Sequence, residues 1–286
     1  MPRVRATCRR RTRQFGADRE LISYDERYDR ILLRARPYGA RPRAASNHHT
    51  HQTVHIALIS DIHSNLTALE AVLGVIRETG PDRIYCLGDV VGYGAEPEAC
   101  VQLVREHCHA TVMGNHDLAV ATGEGMAYLP TDGQHAADHN REALTTESLA
   151  WLRTRPLLHT DEMGTYAHAS PQNPDHWMRL DAFTRVKEQF NHFTTDICFV
   201  GHTHVPATMS HTLGVFRVRP GHRFLVNVGS VGQPRDGDPR ACITWFDTEA
   251  VTTRLERVPY NVDQAARRIR DAGLPLRLAD RLHEGR

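Results

Sequence analysis

Asp61 with His63, Asp89, Asn115 with His116, and His202 with His204 are the residues of this chain whose types and placement could do chemistry. Each group stands just after an apolar run rich in β-branched residues. Side chains beyond the carboxyl ends of strands in an open α/β sheet converge on one crevice. Asp61 and His63 are two apart, as are His202 and His204. On extended backbone such pairs share a face, so each could grip one site, while the adjacent Asn115 and His116 would point apart, the first toward a metal and the second toward a substrate. The donors are imidazole nitrogen with carboxylate and amide oxygen, and no thiolate. That mixture suits Mn, Fe, Zn or Co better than Ca or a structural zinc. These seven residues are too many ligands for one ion, whereas two ions bridged by a carboxylate would use them all. Such a pair lowers the pKa of a shared water toward neutrality and clamps phosphoryl oxygens for in-line displacement. A protein nucleophile is then unnecessary: Ser230 lies in GSVG, without the spacing of a nucleophile elbow, and no GxxxxGK[ST] phosphate loop occurs.

The elements that must position these residues follow from periodicity. Apolar runs at 54–60, 82–88, 110–114, 196–201 and 223–229 predict strands. Between the first two, Leu66, Leu69, Leu73 and Ile76 fall on one helical face that Gly80 and Pro81 bring to a stop. The next connection opens at Pro97 and gathers Cys100, Val101, Val104 and Cys108 on a common face. Strand, helix, strand, helix, strand is the pattern of an α/β architecture. Further strands are expected near 164–169, 214–218 and 241–246, with a helix around 181–193, so the sheet gains antiparallel or mixed additions. Residues 262–286 read as two short helices broken at 273–275, a structural cap.

Composition bounds the partners. Hydrophobic residues make up 40% and charged residues 24% of the 286, as in a packed globular protein. The net charge of +1 conceals an asymmetry: residues 1–53 carry thirteen arginines against five acidic residues, which leaves the remainder mildly acidic. A broad basic surface for duplex nucleic acid is thereby excluded from that remainder, and nucleic acid is expected only as a small nucleotide substrate. No apolar run approaches the roughly 18–20 residues needed to span a bilayer, and the arginine-rich start has no apolar signal core; no membrane partner and a cytoplasmic location are expected. The six cysteines form no CxxC pair and read as buried free thiols. Residues 1–53 lack sustained apolar periodicity and read as a disordered basic extension, or as residues upstream of the biological start, ahead of one domain at 54–286. The HHTH run at 48–51 reads as an unstructured histidine cluster.

Five blocks, in this order, resemble the calcineurin-like metallophosphoesterases: DIH at 61–63, GD at 88–89, GNHD at 114–117, the histidine of HASP at 168–171, and GHTH at 201–204. GDVVGYG at 88–94 and NVGSVGQPRDGDPRA at 227–241 resemble the small prokaryotic branch of that family. The resemblance implies a central β-sandwich of two mixed sheets flanked by helices, four layers in the order αββα. It also implies that Asp61, His63, Asp89 and His204 hold a first metal and Asp89, Asn115, His168 and His202 a second, with Asp89 bridging. His116 would be the acid, and a small phosphodiester or phosphomonoester would be hydrolysed by metal-bound hydroxide. The related protein serine/threonine phosphatases carry GDxVDRG where this chain has Gly92 and Tyr93, which argues against a phosphoprotein substrate. Arg235 in GQPR is a candidate to bind a substrate phosphate. A nuclease with the same motifs would add a DNA-binding domain, for which 205–286 leave little room; a non-catalytic scaffold would lack part of the metal site, and every position is filled here. A chain beginning at Val54 is expected to keep its melting temperature and its turnover, measured by calorimetry and ester hydrolysis; a loss of solubility on truncation would show that the extension packs onto the domain.

Overall fold

The computed structural model describes residues 54–286, so the expectations for 1–53, the HHTH run included, lie outside the described residues. In chain order the first half runs β1 (His55–Ile59), α1 (Leu66–Thr79), β2 (Arg83–Cys86), α2 (Pro97–His107), β3 (Ala110–Thr111), α3 (Asn115–Thr122), α4 (Thr131–Ala143) and α5 (Thr146–Arg153). The second half runs β4 (Leu158–Thr160), β5 (Thr165–Ala167), α6 (Phe183–Gln189), β6 (Ile197–Val200), β7 (Ala207–Ser210), β8 (Phe224–Asn227), β9 (Ala241–Asp247), β10 (Thr252–Val258), α7 (Val262–Asp271) and α8 (Leu276–Glu284). Helix α1 starts where the Asn65 side chain accepts the Ala68 N–H at 3.1 Å. It ends at Gly80, whose left-handed φ of 67° turns its N–H back onto Ile76 O.

Two five-stranded mixed sheets result. Parallel β1, β2 and β3 are extended by antiparallel β9 and β10 in the order β10-β9-β1-β2-β3. Parallel β5, β6 and β8 are flanked by antiparallel β4 and β7 in the order β4-β5-β6-β8-β7. Alternation along the strands builds the layers. Ile56 and Leu58 of β1 and Tyr85 of β2 pack with Tyr166 of β5, Phe199 of β6 and Phe224 of β8, so the sheets lie face to face. The Tyr85 and Tyr166 rings stack across this seam at 4.4 Å. Ala57, Ile59 and Cys86 point the other way, onto Leu69, Val72 and Ile76 of α1 and Val101 and Val104 of α2. On the far side Cys198, Val200 and Leu225 meet Val186, Phe190 and Phe193 at α6. The four-layer αββα sandwich is therefore a consequence of period-2 burial on both faces of central strands. The C-terminal helices α7 and α8 pack Ala266, Ile269, Leu278 and Leu282 against Tyr93 and Ala136.

Three expectations are corrected. The segment 214–218 is not a strand: Phe216 is 83% exposed, while Val218 is buried in the seam between the sheets and Val215 packs against it. The third run contributes just two paired residues, at β3. Strands β4, β7 and β10 were not anticipated because they are sheet edges, where outward polar residues hide the alternation, as in TTRLERV of β10. Cys86, Cys100, Cys108, Cys198 and Cys242 are free thiols; Cys8 lies outside the described residues. Among the described residues no helix is long and apolar enough to cross a membrane. Leu69→Ala removes a fully buried side chain from the seam between α1 and β1. It is expected to lower unfolding free energy by about 2–5 kcal/mol, read from urea midpoints at constant slope.

Candidate metal centre

Both sheets present the carboxyl ends of parallel strands to one crest. Asp61 follows β1, Asp89 follows β2, Asn115 follows β3, His168 follows β5, and His202 and His204 follow β6. The crest is tied together through its backbone: Asp61 N–H donates to Gly88 O at 3.0 Å, His63 N–H to Asp89 O at 2.9 Å and Gly201 N–H to His168 O at 2.8 Å. Hydrogen bonds also cross between the sheets. His202 N–H donates to Asp61 Oδ2 at 3.0 Å, and His168 Nδ1–H donates to Leu87 O at 2.8 Å. Ser230 is absorbed by this frame, its buried hydroxyl donating to Asp61 O at 2.8 Å, so it is no nucleophile.

Three imidazoles share one arrangement. His63 Nδ1 faces Val91 O at 3.2 Å, His204 Nδ1 faces Gln233 O at 2.5 Å, and His168 Nδ1 faces Leu87 O. A carbonyl can only accept, so each ring, when neutral, carries its proton on Nδ1 and turns an Nε2 lone pair inward. Those lone pairs meet others: His63 Nε2 lies 3.1 Å from His204 Nε2, and His168 Nε2 lies 3.1 Å from His202 Nδ1. Asp61 Oδ1 stands 3.3 Å from His204 Nε2. Asp89 Oδ2 stands 3.6 Å from His63 Nε2 and 3.3 Å from His168 Nε2. Ring nitrogens anchored to backbone carbonyls, with opposed lone pairs at this spacing, are what two ligands of one ion present when metal–nitrogen bonds are about 2.0–2.1 Å. The residues fit divalent metal. Asn115 Oδ1, buried without a hydrogen-bond partner, adds an oxygen donor.

The side chains divide into two groups, Asp61–His63–His204 and Asp89–His168–His202, with ligand atoms inside each lying within 4.8 Å of one another. His63, Asp89 and His116 form a third such group, so His116 also stands at the centre. Burial governs their ionisation. It pushes the Asp61 carboxyl up to about 6, against the pull of His168, and drives His116 down to about 4 and His202 down to about 3. Asp89 behaves otherwise: burial would raise it, but the charges of His168 and His116 hold it well below the usual carboxylate range. Burial likewise opposes a charge on His168, yet Asp89 lifts that ring to about 9. Neutral His63, His116, His202 and His204, together with a charged His168, thus surround one firmly ionised carboxylate.

The geometry corrects the reasoning from extended backbone. Asp61, His63, Asp89, His202 and His204 have left-handed φ of 53°, 49°, 51°, 65° and 62°. His202 and His204 therefore do not grip one site together; they serve different groups. Asn115 and His116 open helix α3 and do not lie on a strand.

Several contributors escaped the sequence reading. Asn140 of α4 is fully buried; it accepts Ser64 Oγ–H at 2.5 Å and Gly92 N–H at 2.8 Å and donates to Gly94 O at 3.0 Å. Asp117 accepts the N–H groups of Val91 and Gly114 at 3.1 and 3.0 Å. Asn140 lies in no motif, and Asp117 closes the GNHD block, where the sequence assigns it no role. Gly92, at φ 138°, has no room for a side chain, since a Cβ there would run into His63 Nδ1 and lie 3.0 Å from His116 Nδ1. Arg235 lines the cleft beside His116 and His204. Its guanidinium lies 5.6 Å over the Tyr93 ring, and its buried Nε has no partner. The cleft encloses about 850 Å³.

Residues 54–250 match the family described as the calcineurin-like phosphoesterase superfamily domain. An uncharacterized protein of Methanocaldococcus jannaschii is 38% identical over 241 residues, which are 81% of this chain and 98% of that one. A crystal structure of a metallophosphoesterase from Sphaerobacter thermophilus has a TM-score of 0.72 at 36% identity, covering 82% of this chain and 99% of that one. The symmetrical bis(5'-nucleosyl)-tetraphosphatase of Methylococcus capsulatus is 34% identical over 142 residues, 46% of this chain and 48% of its own length, so the match spans about half of that relative.

Because Asp89 stands between the two groups, Asp89→Asn is expected to weaken metal binding at both, whereas His63→Ala weakens chiefly one. Elemental analysis and metal titration check this; an Asp89→Asn protein that kept its full metal content at wild-type affinity would refute the shared role.

Proposed function

The chain belongs to the calcineurin-like phosphoesterase superfamily and is a phosphoric ester hydrolase; from that premise we propose that it hydrolyses a small phosphodiester or phosphomonoester at a centre of two divalent ions. Asp61, His63, Asp89, Asn115, His168, His202 and His204 would hold them, with Asp89 shared. The observation that carries this reading is the trio of carbonyl-anchored imidazoles turned, with two carboxylates, onto one buried focus. Divalent ions bound there supply Lewis acidity toward a phosphoryl oxygen and toward water. The name carried by the tetraphosphatase relative supports a nucleotide among the small esters.

The chain's own groups divide the remaining work. The N-terminus of α3 brings the His116 N–H to Asp89 Oδ1 at 2.8 Å and fixes the carboxylate's orientation. Arg235, with a buried unpaired Nε, suits a non-bridging phosphoryl oxygen. His116 is the proton donor to the departing oxygen. In the free protein its ring is neutral near pH 7, because burial, and then Arg235 and His168 against the pull of Asp89, disfavour a second proton. The negative charge of a phosphate ester in the cleft opposes both effects and raises that pKa, so the proton is available when substrate is present.

His116→Asn is expected to retain metal while turnover falls by roughly 100- to 10,000-fold. The deficit should be largest for alkyl esters, whose leaving oxygen needs a proton, and smallest for p-nitrophenyl esters, whose leaving group departs as an anion. Kinetics on both ester classes with metal-replete protein test the assignment: an equal loss on both would make His116 a phosphate-orienting group, and loss of metal would make it a ligand.

A further inference from the structure

The cleft is larger than the metal centre requires. At about 850 Å³ it approaches the upper end of the roughly 300–1,000 Å³ found for pockets that bury a whole organic ligand. A simple alkyl phosphate would leave most of it to water. Beyond the candidate ligands, His116 and Arg235, its lining includes Tyr128, Asp175, Trp177 and Arg179.

The two aromatics are not accounted for by packing. Tyr128 closes a short turn, Met126–Tyr128, and is 93% exposed although its neighbour Leu129 is buried. Trp177 joins none of the hydrophobic clusters among the described residues, and its indole stands edge-on to His168 at 6.0 Å. The loop that carries Trp177 is braced. Gln189 of α6, fully buried, accepts the Gln172 N–H at 3.2 Å and donates to the Gln172 side chain at 3.2 Å. Ser170 Oγ donates to Gln172 O at 2.9 Å. Asn173 and Trp177 then take left-handed φ of 45° and 52°, a conformation disfavoured for residues with a Cβ, on either side of Pro174–His176. This braced and strained loop places an indole, a carboxylate at Asp175 and a guanidinium at Arg179 in the lining of one cleft.

A π-face, an acceptor for an exocyclic amine and a cation for phosphate are together the recognition set of a nucleotide. We infer that Trp177 and Tyr128 are specificity-determining residues that stack the base of a nucleotidyl phosphate whose phosphate lies at the metal centre. Asp175 accepts from an amino group of the base, and Arg179 serves a phosphate oxygen. This rests on the reading of the centre as a phosphate-ester site.

The test is inhibition of p-nitrophenyl ester hydrolysis by manganese-loaded protein, with AMP compared against ribose 5-phosphate, which has the same phosphate and no base. AMP is expected to inhibit at least about tenfold more strongly, the scale of one base–aromatic stack. Trp177→Ala should abolish most of that preference, Trp177→Phe should retain it, and Tyr128→Ala, at a position too exposed to disturb folding, should reduce it severalfold. Metal-dependent hydrolysis with AMP no better than ribose 5-phosphate would overturn the stacking site while leaving the phosphoesterase reading intact. Absence of metal-dependent hydrolysis would overturn that reading, and this inference with it.

Discussion

A carboxylate at 1% exposure survives as an anion only if the protein matches its charge, and Asp89 is such a carboxylate. Its matches come from far apart in the chain: a backbone N–H at the start of α3 and the charged His168 beside β5 of the other sheet, with His63 beside β1 at 3.6 Å. A single buried charge therefore demands that β1, β2, β3 and β5 end at the same height. The face-to-face sandwich satisfies that demand, because the Tyr85–Tyr166 stack and the aliphatic layer around it hold the two sheets in fixed relation. Once the strand ends coincide, the remaining donors fall within reach through short loops.

Those loops are costly to fold. Five candidate ligands sit at left-handed φ, each disfavoured by about 1–3 kcal/mol. Local sequence does not repay this; tertiary bonds do. Asn140 clamps the loop 92–94 from α4, Asp117 clamps its start and the neck of α3, and the buried Ser230 hydroxyl holds the Asp61 backbone. The result is an array fixed before any ligand arrives, which spares reorganisation during reaction.

That division explains what the sequence discloses. Ligand types survive in a linear reading because donor chemistry restricts each position to aspartate, asparagine or histidine, and because α1 has an unbroken apolar face from Leu66 to Ile76. Conformation does not survive it. Nothing in DIH or GHTH announces left-handed backbone, so alternation along an extended chain was the natural inference, and it paired His202 with His204 wrongly. Asn140 and Gln189 act through partners 17 to 76 residues away and lie in no motif. His168 is recognisable only by resemblance, since β5 supplies just three paired residues and no second donor nearby. The edge strands were invisible for the opposite reason: one side faces water, and their polar residues blur the period.

The two departures within an otherwise familiar block, Gly92 and Tyr93, reshape the surroundings of His116. Where the protein phosphatases place an aspartate, Gly92 is pressed so closely against His63 and His116 that no side chain fits. The next residue, Tyr93, fills the space and packs its ring 4.6 Å from His116. That tyrosine in turn stands beneath Arg235 at 5.6 Å and Arg281 of α8 at 5.9 Å. His116 is thereby flanked by an aromatic ring backed by cations, and its Nδ1 is buried without a partner. Burial and Arg235 disfavour a charge on the ring, and the negative charge of a bound ester would oppose them. Proton donation from His116, in the proposed role, would then be coupled to the charge of the bound ester, and the C-terminal helices reach this site through Arg281 and their packing on Tyr93.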